Sequence, residues 1–289
     1  MPTVTRDGVS IHYEHDRGEG DAVVFLQGVG AGRWQWRWQR EVLGGYDLFA
    51  PDTRGTGRSD AGLPPVLPSL PRRLRSRLLT GRFSYDGDTL AADLEAVLED
   101  AGIHNAHLVG VDLGGLVAQR YALEYRRAAS LTLVGTTPGG EDSVAMDDDV
   151  RDRLLATPGS KREALRERTR PFFTERFTNR NPHLMDRLVE WRLVHDPDDP
   201  ALEAQLGALE RIDVSDRLER IRVPTLVIHG TDDRIVPVEN GRLLADRVPG
   251  SEYLELEGGS HGCFIEEDER VTDRIRTFLA QVAETPHTA

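Results

Sequence analysis

The sequence predicts an α/β fold with a mostly parallel central sheet flanked by helices and an inserted helical lid. Three observations predict it. Short apolar runs of strand length, among them Ala22-Val-Val-Phe-Leu26, Leu131-Thr-Leu-Val134 and Thr225-Leu-Val-Ile-His229, alternate with stretches whose apolar residues recur at helical spacing. Such alternation builds a parallel sheet covered on both faces. A further apolar strand breaks on glycine and runs straight into a helix, in Leu108-Val-Gly-Val-Asp112-Leu-Gly-Gly-Leu-Val117. Between 139 and 220 the pattern changes to charged amphipathic helix, so residues 1–138 and 221–289 form the core and 139–220 the lid.

A chain of 289 residues and 32.2 kDa can bury one full core with an insertion. The Met-Pro-Thr-Val-Thr-Arg start has no apolar leader, and no later apolar run is long enough to span a bilayer. A cytoplasmic protein is expected. Cys263 is the only cysteine, which excludes a disulfide within the chain and a cysteine-built metal site, and suits a small buried apolar residue. The net charge of −13 argues against nucleic acid or an anionic membrane as partner, leaving a small-molecule substrate. Neither cofactor nor metal is expected. Lys161 is the sole lysine among abundant arginine, aspartate and glutamate, a pattern of high-GC genomes. The acid excess suits a salt-rich cytoplasm, although composition does not separate a halophile from an actinobacterium.

In chain order, residues 2–15 and 22–27 read as an antiparallel start: Val9-Ser-Ile-His-Tyr13 alternates apolar with polar, and 22–26 is continuously apolar. That run ends in Gln27-Gly-Val-Gly-Ala-Gly32, a loop able to present backbone donors and without the spacing of a phosphate-binding loop. Arg33–Gln39 sets Trp34, Trp36 and Trp38 on alternate positions, so on a helix at least one ring faces core or pocket. The strand-like Tyr46–Ala50 leads into a glycine-rich turn over 51–60. Residues 61–82, rich in proline and arginine, read as an inserted loop or short amphipathic helix. Leu90, Leu94, Val97 and Leu98 mark a helix over 89–101, and after Pro224 strands at 225–229 and 252–256 alternate with helices near 240–247 and 269–282.

Chemistry concentrates at three strand ends, where open α/β sheets bind ligands. Asp112 sits between Gly110 and Gly114, which relieve crowding in a sharp turn. The alternative reading is an aspartate capping the following helix. The second loop is Gly230-Thr-Asp-Asp-Arg-Ile-Val-Pro237, and the third is Gly258-Gly-Ser-His261-Gly-Cys. Nucleophile, acid and histidine occur in the order of a hydrolytic triad.

These motifs, with Gln27-Gly28 and the Pro51-Asp-Thr-Arg-Gly-Thr-Gly-Arg-Ser59 turn, resemble the α/β-hydrolases over nearly the whole chain. The resemblance implies Asp112 as nucleophile, His261 as base and Asp233 as the acid that orients it, with Asp232 as nearest competitor. An aspartate at the elbow is similar to epoxide hydrolases and haloalkane dehalogenases, as is Trp36-Arg-x-Gln39. A carboxylate is ionised at neutral pH, so it attacks an sp3 carbon without a base. Water activated by His261 then hydrolyses the alkyl ester, with the Val29 and Leu113 amides as oxyanion donors.

The sequence also departs from these subfamilies. Leu113 stands where dehalogenases carry tryptophan or arginine, Gln27 replaces the usual histidine of the oxyanion loop, and residues 139–220 contain no tyrosine to protonate an opening epoxide. Tyr85, Trp34, Trp36, Trp38 and Trp191 are therefore the candidate leaving-group donors and, with Gln27, the candidate pocket residues. The leading expectation is an Asp-ester hydrolase of epoxides or haloalkane-like apolar substrates. The alternatives are an esterase-like hydrolase or lyase in which Asp112 is no covalent nucleophile, and a non-catalytic ligand-binding relative.

Overall fold

The computed structural model describes residues 2–156 and 159–284. Eight strands form one sheet: β1 (Thr3–Arg6), β2 (Val9–Asp16), β3 (Ala22–Leu26), β4 (Asp47–Pro51), β5 (Ala106–Val111), β6 (Ala128–Val134), β7 (Thr225–Gly230) and β8 (Glu252–Leu256). Their spatial order is β1-β2-β4-β3-β5-β6-β7-β8, antiparallel at β1/β2 and β2/β4 and parallel from β4 onward. The expected antiparallel start over 2–15 and 22–27 is thus corrected. Its first part forms a β1/β2 hairpin, but β3 lies between β4 and β5 and runs parallel to both. The continuous apolar run 22–26 already fits a strand buried on both faces, whereas the alternating β2 fits a sheet margin.

Helices α1 (Arg37–Val42), α2 (Arg72–Leu79), α3 (Gly87–Asp100) and α4 (Leu113–Glu124) follow the first strands, and α10 (Val238–Arg247), α11 (Cys263–Glu266) and α12 (Asp268–Glu284) close the chain. α3 and α4 pack on each other and α4 on β3, β5 and β6, while α12 packs on α1, β6 and β7. Between β6 and β7 lie α5 (Asp148–Leu154), α6 (Lys161–Thr169), α7 (Glu175–Arg180), α8 (Pro182–His195) and α9 (Asp199–Arg211), with no strand among the described residues. The stretch 61–82 carries α2, which leans on α9: a Cβ on Gly207 would stand 2.6 Å from Thr80 Cα, and Arg75 makes two 3.0 Å bonds to Glu203. Among the described residues no helix is long and apolar enough to cross a membrane.

The strand-to-helix turn at β5 and α4 depends on two missing side chains. A Cβ on Gly110 would stand 2.5 Å from the Gly114 carbonyl, and one on Gly114 would stand 2.5 Å from the Leu26 carbonyl carbon. Both obstacles are backbone, so relief means moving a strand. Gly114→Ala is therefore expected to cost about 1–3 kcal/mol in denaturant unfolding, as overpacking does. Exposed Gly44 has nothing within 4 Å of an added Cβ, so Gly44→Ala should unfold like the parent.

Candidate active site

Asp112 joins β5 to α4 at φ 53° and ψ −119°, and only Asp7 shares a positive φ among the described non-glycine residues. Such a conformation persists only where neighbours enforce it. The Asp112 amide donates to Val134 O at 3.1 Å, and its carbonyl accepts from Thr136 Oγ1 at 2.6 Å. The side chain makes no helix-capping bond, which removes the capping alternative. Instead Oδ2 accepts the Val29 amide at 2.8 Å, and the Leu113 amide also bonds the carboxylate. Oδ1 is buried without a partner among the described residues. Of the donor pair expected to hold an oxyanion, the Val29 amide thus holds one oxygen of Asp112 itself.

The other two loops meet at a second carboxylate. Asp233 Oδ1 accepts the Ile235 and Val236 amides, each at 2.8 Å, and Oδ2 lies 2.8 Å from His261 Nδ1. A carboxylate accepting from Nδ1 leaves the lone pair on Nε2, and Nε2 is buried without a partner among the described residues. Asp232 is exposed, and His261 pairs with Asp233. The Phe172 ring meets the His261 ring edge-on at 5.3 Å. Asp112 is 1 % exposed and His261 0 %, so nucleophile candidate and base candidate are both sealed from solvent.

A profile of the α/β-hydrolase fold family matches residues 21–268, and thus all three loops. The chain is an α/β-hydrolase. It is 30% identical over 279 residues, 94% of this chain and 97% of the relative, to a Variovorax paradoxus protein named carbamate hydrolase RutD. It is 29% identical over 269 residues to non-heme chloroperoxidase CPO-A1 of Kitasatospora aureofaciens, covering 89% of this chain and 90% of that one. Among solved structures, a thermophilic esterase from Thermogutta terrifontis superposes with TM-score 0.76 at 26% identity, covering 97% and 98% of the two chains. The enol-lactonase of Burkholderia xenovorans LB400 shares the fold at TM-score 0.79 and 23% identity, over 96% of this chain and all of that one.

Several expected pocket residues of this hydrolase have other partners. Gln27 Nε2 donates to Pro51 O at 2.7 Å, and the side chain borders a cavity of about 40 Å³ with Asp52, Arg54 and Asp93, so it buttresses the turn after β4. Trp36 is fully buried between Phe25 and Phe264, at 5.3 and 5.0 Å. Trp34 Nε1 donates to Asp196 Oδ1 at 2.8 Å, and the Tyr85 hydroxyl donates to Ala61 O at 2.8 Å. Trp38 and Trp191 meet edge-on at 6.0 Å, with Arg37 and Arg187 against the Trp191 ring. In each case the ring or its polar hydrogen serves packing or a structural bond. Sequence reasoning missed Phe172, Arg192, Asp196 and Gln205, all inside the helical insertion. Nothing local marks them, because their partners lie tens to more than a hundred positions away.

Charge explains how the two carboxylates divide. Burial pushes the Asp112 carboxyl up, against the opposing pull of His261 and the Val29 amide. Burial would raise Asp233 too, but the charge of His261 and the bonds from His229 and His261 hold it at about 2. His261 is displaced upward: burial favours the neutral ring, and the Asp233 charge and bond, with the Asp112 charge, outweigh it. Its folded value therefore lies above the ordinary imidazole value of about 6.5. The imidazolium should deprotonate above that pH in an NMR titration of the ring, and the stability it adds should be complete below about 6.5 and fade as pH rises through the folded value. Asp233→Asn removes the largest upward influence, so the titration should move toward acid. An unmoved titration would show that Asp233 does not set it.

Proposed function

We propose that this chain is a hydrolase that attacks an electrophilic sp3 carbon through Asp112, forming an alkyl–enzyme ester on an epoxide or haloalkane-like small apolar substrate. One observation carries the reading: Asp112 Oδ2 occupies the Val29 amide while Oδ1 is unpartnered among the described residues. An enzyme of acyl transfer offers that donor to the substrate's carbonyl oxygen, and here the protein's own oxygen fills it. The arrangement instead suits an ester built on Asp112. Oδ1 displaces the leaving oxygen or halide from carbon, and Oδ2 becomes the ester carbonyl oxygen. His261 Nε2 takes a proton from water, whose oxygen attacks Cγ, and the negative charge arising on Oδ2 already faces the Val29 amide. Cγ–Oδ1 then breaks, Oδ1 leaves with the product as an alcohol, and His261 returns the proton.

A cavity of about 320 Å³ lies between the insertion and the acid loop, lined by Leu206, Leu209, Val144, Met146, Ile235 and Val236 beside Asp148, Arg151 and Glu210; Asp112 and His261 are not in its lining, and in this reading it is the approach by which an apolar substrate reaches them. Helices 139–220 then act as the lid. Trp34 and Tyr85 spend their polar hydrogens on Asp196 and Ala61, whereas Trp36 Nε1 is buried without a partner among the described residues and stays the candidate donor to a leaving group. Val144 is 45% exposed at the cavity, so Val144→Trp should raise KM for bulky substrates several-fold and leave kcat near that of the parent.

A second reading has its own support. The names of the relatives, carbamate hydrolase, esterase and enol-lactonase, describe acyl chemistry. Carboxylate attack on an acyl carbon gives a high-energy anhydride, so here Asp112 and His261 would activate water directly. Intact-protein mass spectrometry separates the two. With a panel of epoxides and haloalkanes, His261→Ala should accumulate a stable adduct on Asp112 and make at most one turnover, while Asp112→Asn makes no adduct. In a single turnover in 18O-water the label should enter Asp112, not the product. Multiple turnover by Asp112→Asn, with deamidation excluded, would overturn the covalent reading.

A further inference from the structure

The oxyanion loop 28–32 is held from the inserted helices as well as from the core. Gly28 N donates to Gln35 Oε1 at 3.0 Å, within the core. Gly32 O accepts Gln35 N at 3.2 Å, also within the core, and three further bonds to the loop come from α8, α9 and their junction. Gly30 N donates to Gln205 Oε1 at 2.9 Å, and Gln205 Nε2 is itself fixed by Arg54 O at 3.0 Å and Thr56 Oγ1 at 2.9 Å. Gly32 N donates to Asp196 Oδ1 at 3.0 Å, and Arg192 donates to Gly30 O at 3.0 Å, Asp196 Oδ2 at 2.6 Å and Thr169 Oγ1 at 2.9 Å. Arg192, Asp196 and Gln205 are all buried. The close fit repeats in the backbone: a Cβ on Gly30 would meet Leu202 Cδ1 at 2.7 Å, and one on Gly32 would meet His195 Cβ at 2.6 Å. With Gly28, Gly30 and Gly32 so engaged, Val29 N is the loop amide directed at Asp112.

We infer that Gln205, with the Arg192–Asp196 pair, is a positioning residue that sets the oxyanion hole from the lid, so that the hole is complete only while α8 and α9 are seated. A lid displaced for substrate entry removes the partners of Gly30 and Gly32 together and lets Val29 N swing away from Oδ2. Ester hydrolysis is thereby confined to the closed state, in which water access is controlled as well. The kinetic part rests on the Asp112-ester reading, whereas the structural part does not.

The test uses the full chain and Gln205→Met, which keeps side-chain volume and removes both bonding functions. In hydrogen exchange, amides of 28–32 should exchange about tenfold faster, the size of one lost bond, with helices α3 and α12 unchanged. In a His261-intact background, the epoxide-derived Asp112 adduct should last about 10²-fold longer and kcat should fall with little change in KM, as for a displaced oxyanion donor. Gln205→Glu, which keeps the acceptor for Gly30 N, should restore much of both. Should the Met variant not fold, Thr56→Val removes one of the two acceptors of Gln205 Nε2 and should show the same changes on a smaller scale. Parent-like exchange in 28–32 would overturn the inference. If no variant and no parent protein forms an adduct, the ester reading fails while the exchange result still decides this one.

Discussion

A carboxylate almost wholly removed from water has to be met by donors, and at Asp112 those donors are backbone amides at the end of β3 and the start of α4. That one requirement ties together features far apart in the chain. β3 and β5 must be parallel neighbours so that their ends lie side by side, and the register pairs Leu26 with Gly110. Gly114 must lack a side chain, because α4 begins against the Leu26 carbonyl. Asp112 must adopt a left-handed φ, and Thr136 at the end of β6 holds its carbonyl there. The raised carboxyl is the electrostatic cost of the same burial.

Apart from Asp233, which histidine and backbone amides hold, several buried carboxylates of the hydrolase are met by arginine. Arg54 bonds Asp93 at 2.5 and 2.8 Å, Arg192 bonds Asp196, and Arg33 reaches both Glu14 and Asp52. A planar guanidinium stays charged and offers several donors at fixed angles, so one residue satisfies a carboxylate and a carbonyl together. Arg192 does this for Asp196 and Gly30 O. With a single lysine in the chain, this is how an acidic protein keeps carboxylates inside its seams. The pairs add specificity of placement more than stability, since desolvation offsets much of the attraction.

The insertion grips the core on both sides of the site. On one side it holds the oxyanion loop; on the other, Phe172 O accepts Gly262 N at 2.6 Å and Ser260 Oγ at 2.8 Å, and Glu266 accepts from Thr174. Phe172 thereby lays its ring on His261 and ties the histidine loop to the helices above. Burial this complete strengthens every charge interaction within the site.

The sequence by itself determined the fold class, the parallel run of strands and the three loops that bring Asp112, Asp233 and His261 to one end of the sheet. Each is written locally: in apolar runs of strand length, in Gly110 and Gly114 around a turn, in short polar loops after strands. Tertiary structure alone decided the rest. It placed β4 between β2 and β3, gave Gln27, Trp34 and Tyr85 to structural bonds, and brought Phe172, Arg192, Asp196 and Gln205 to the site. Local patterns reflect the backbone's own steric and burial demands, whereas a side chain's partner across more than 150 positions, as for Gly30 and Gln205, is fixed only when whole helices pack.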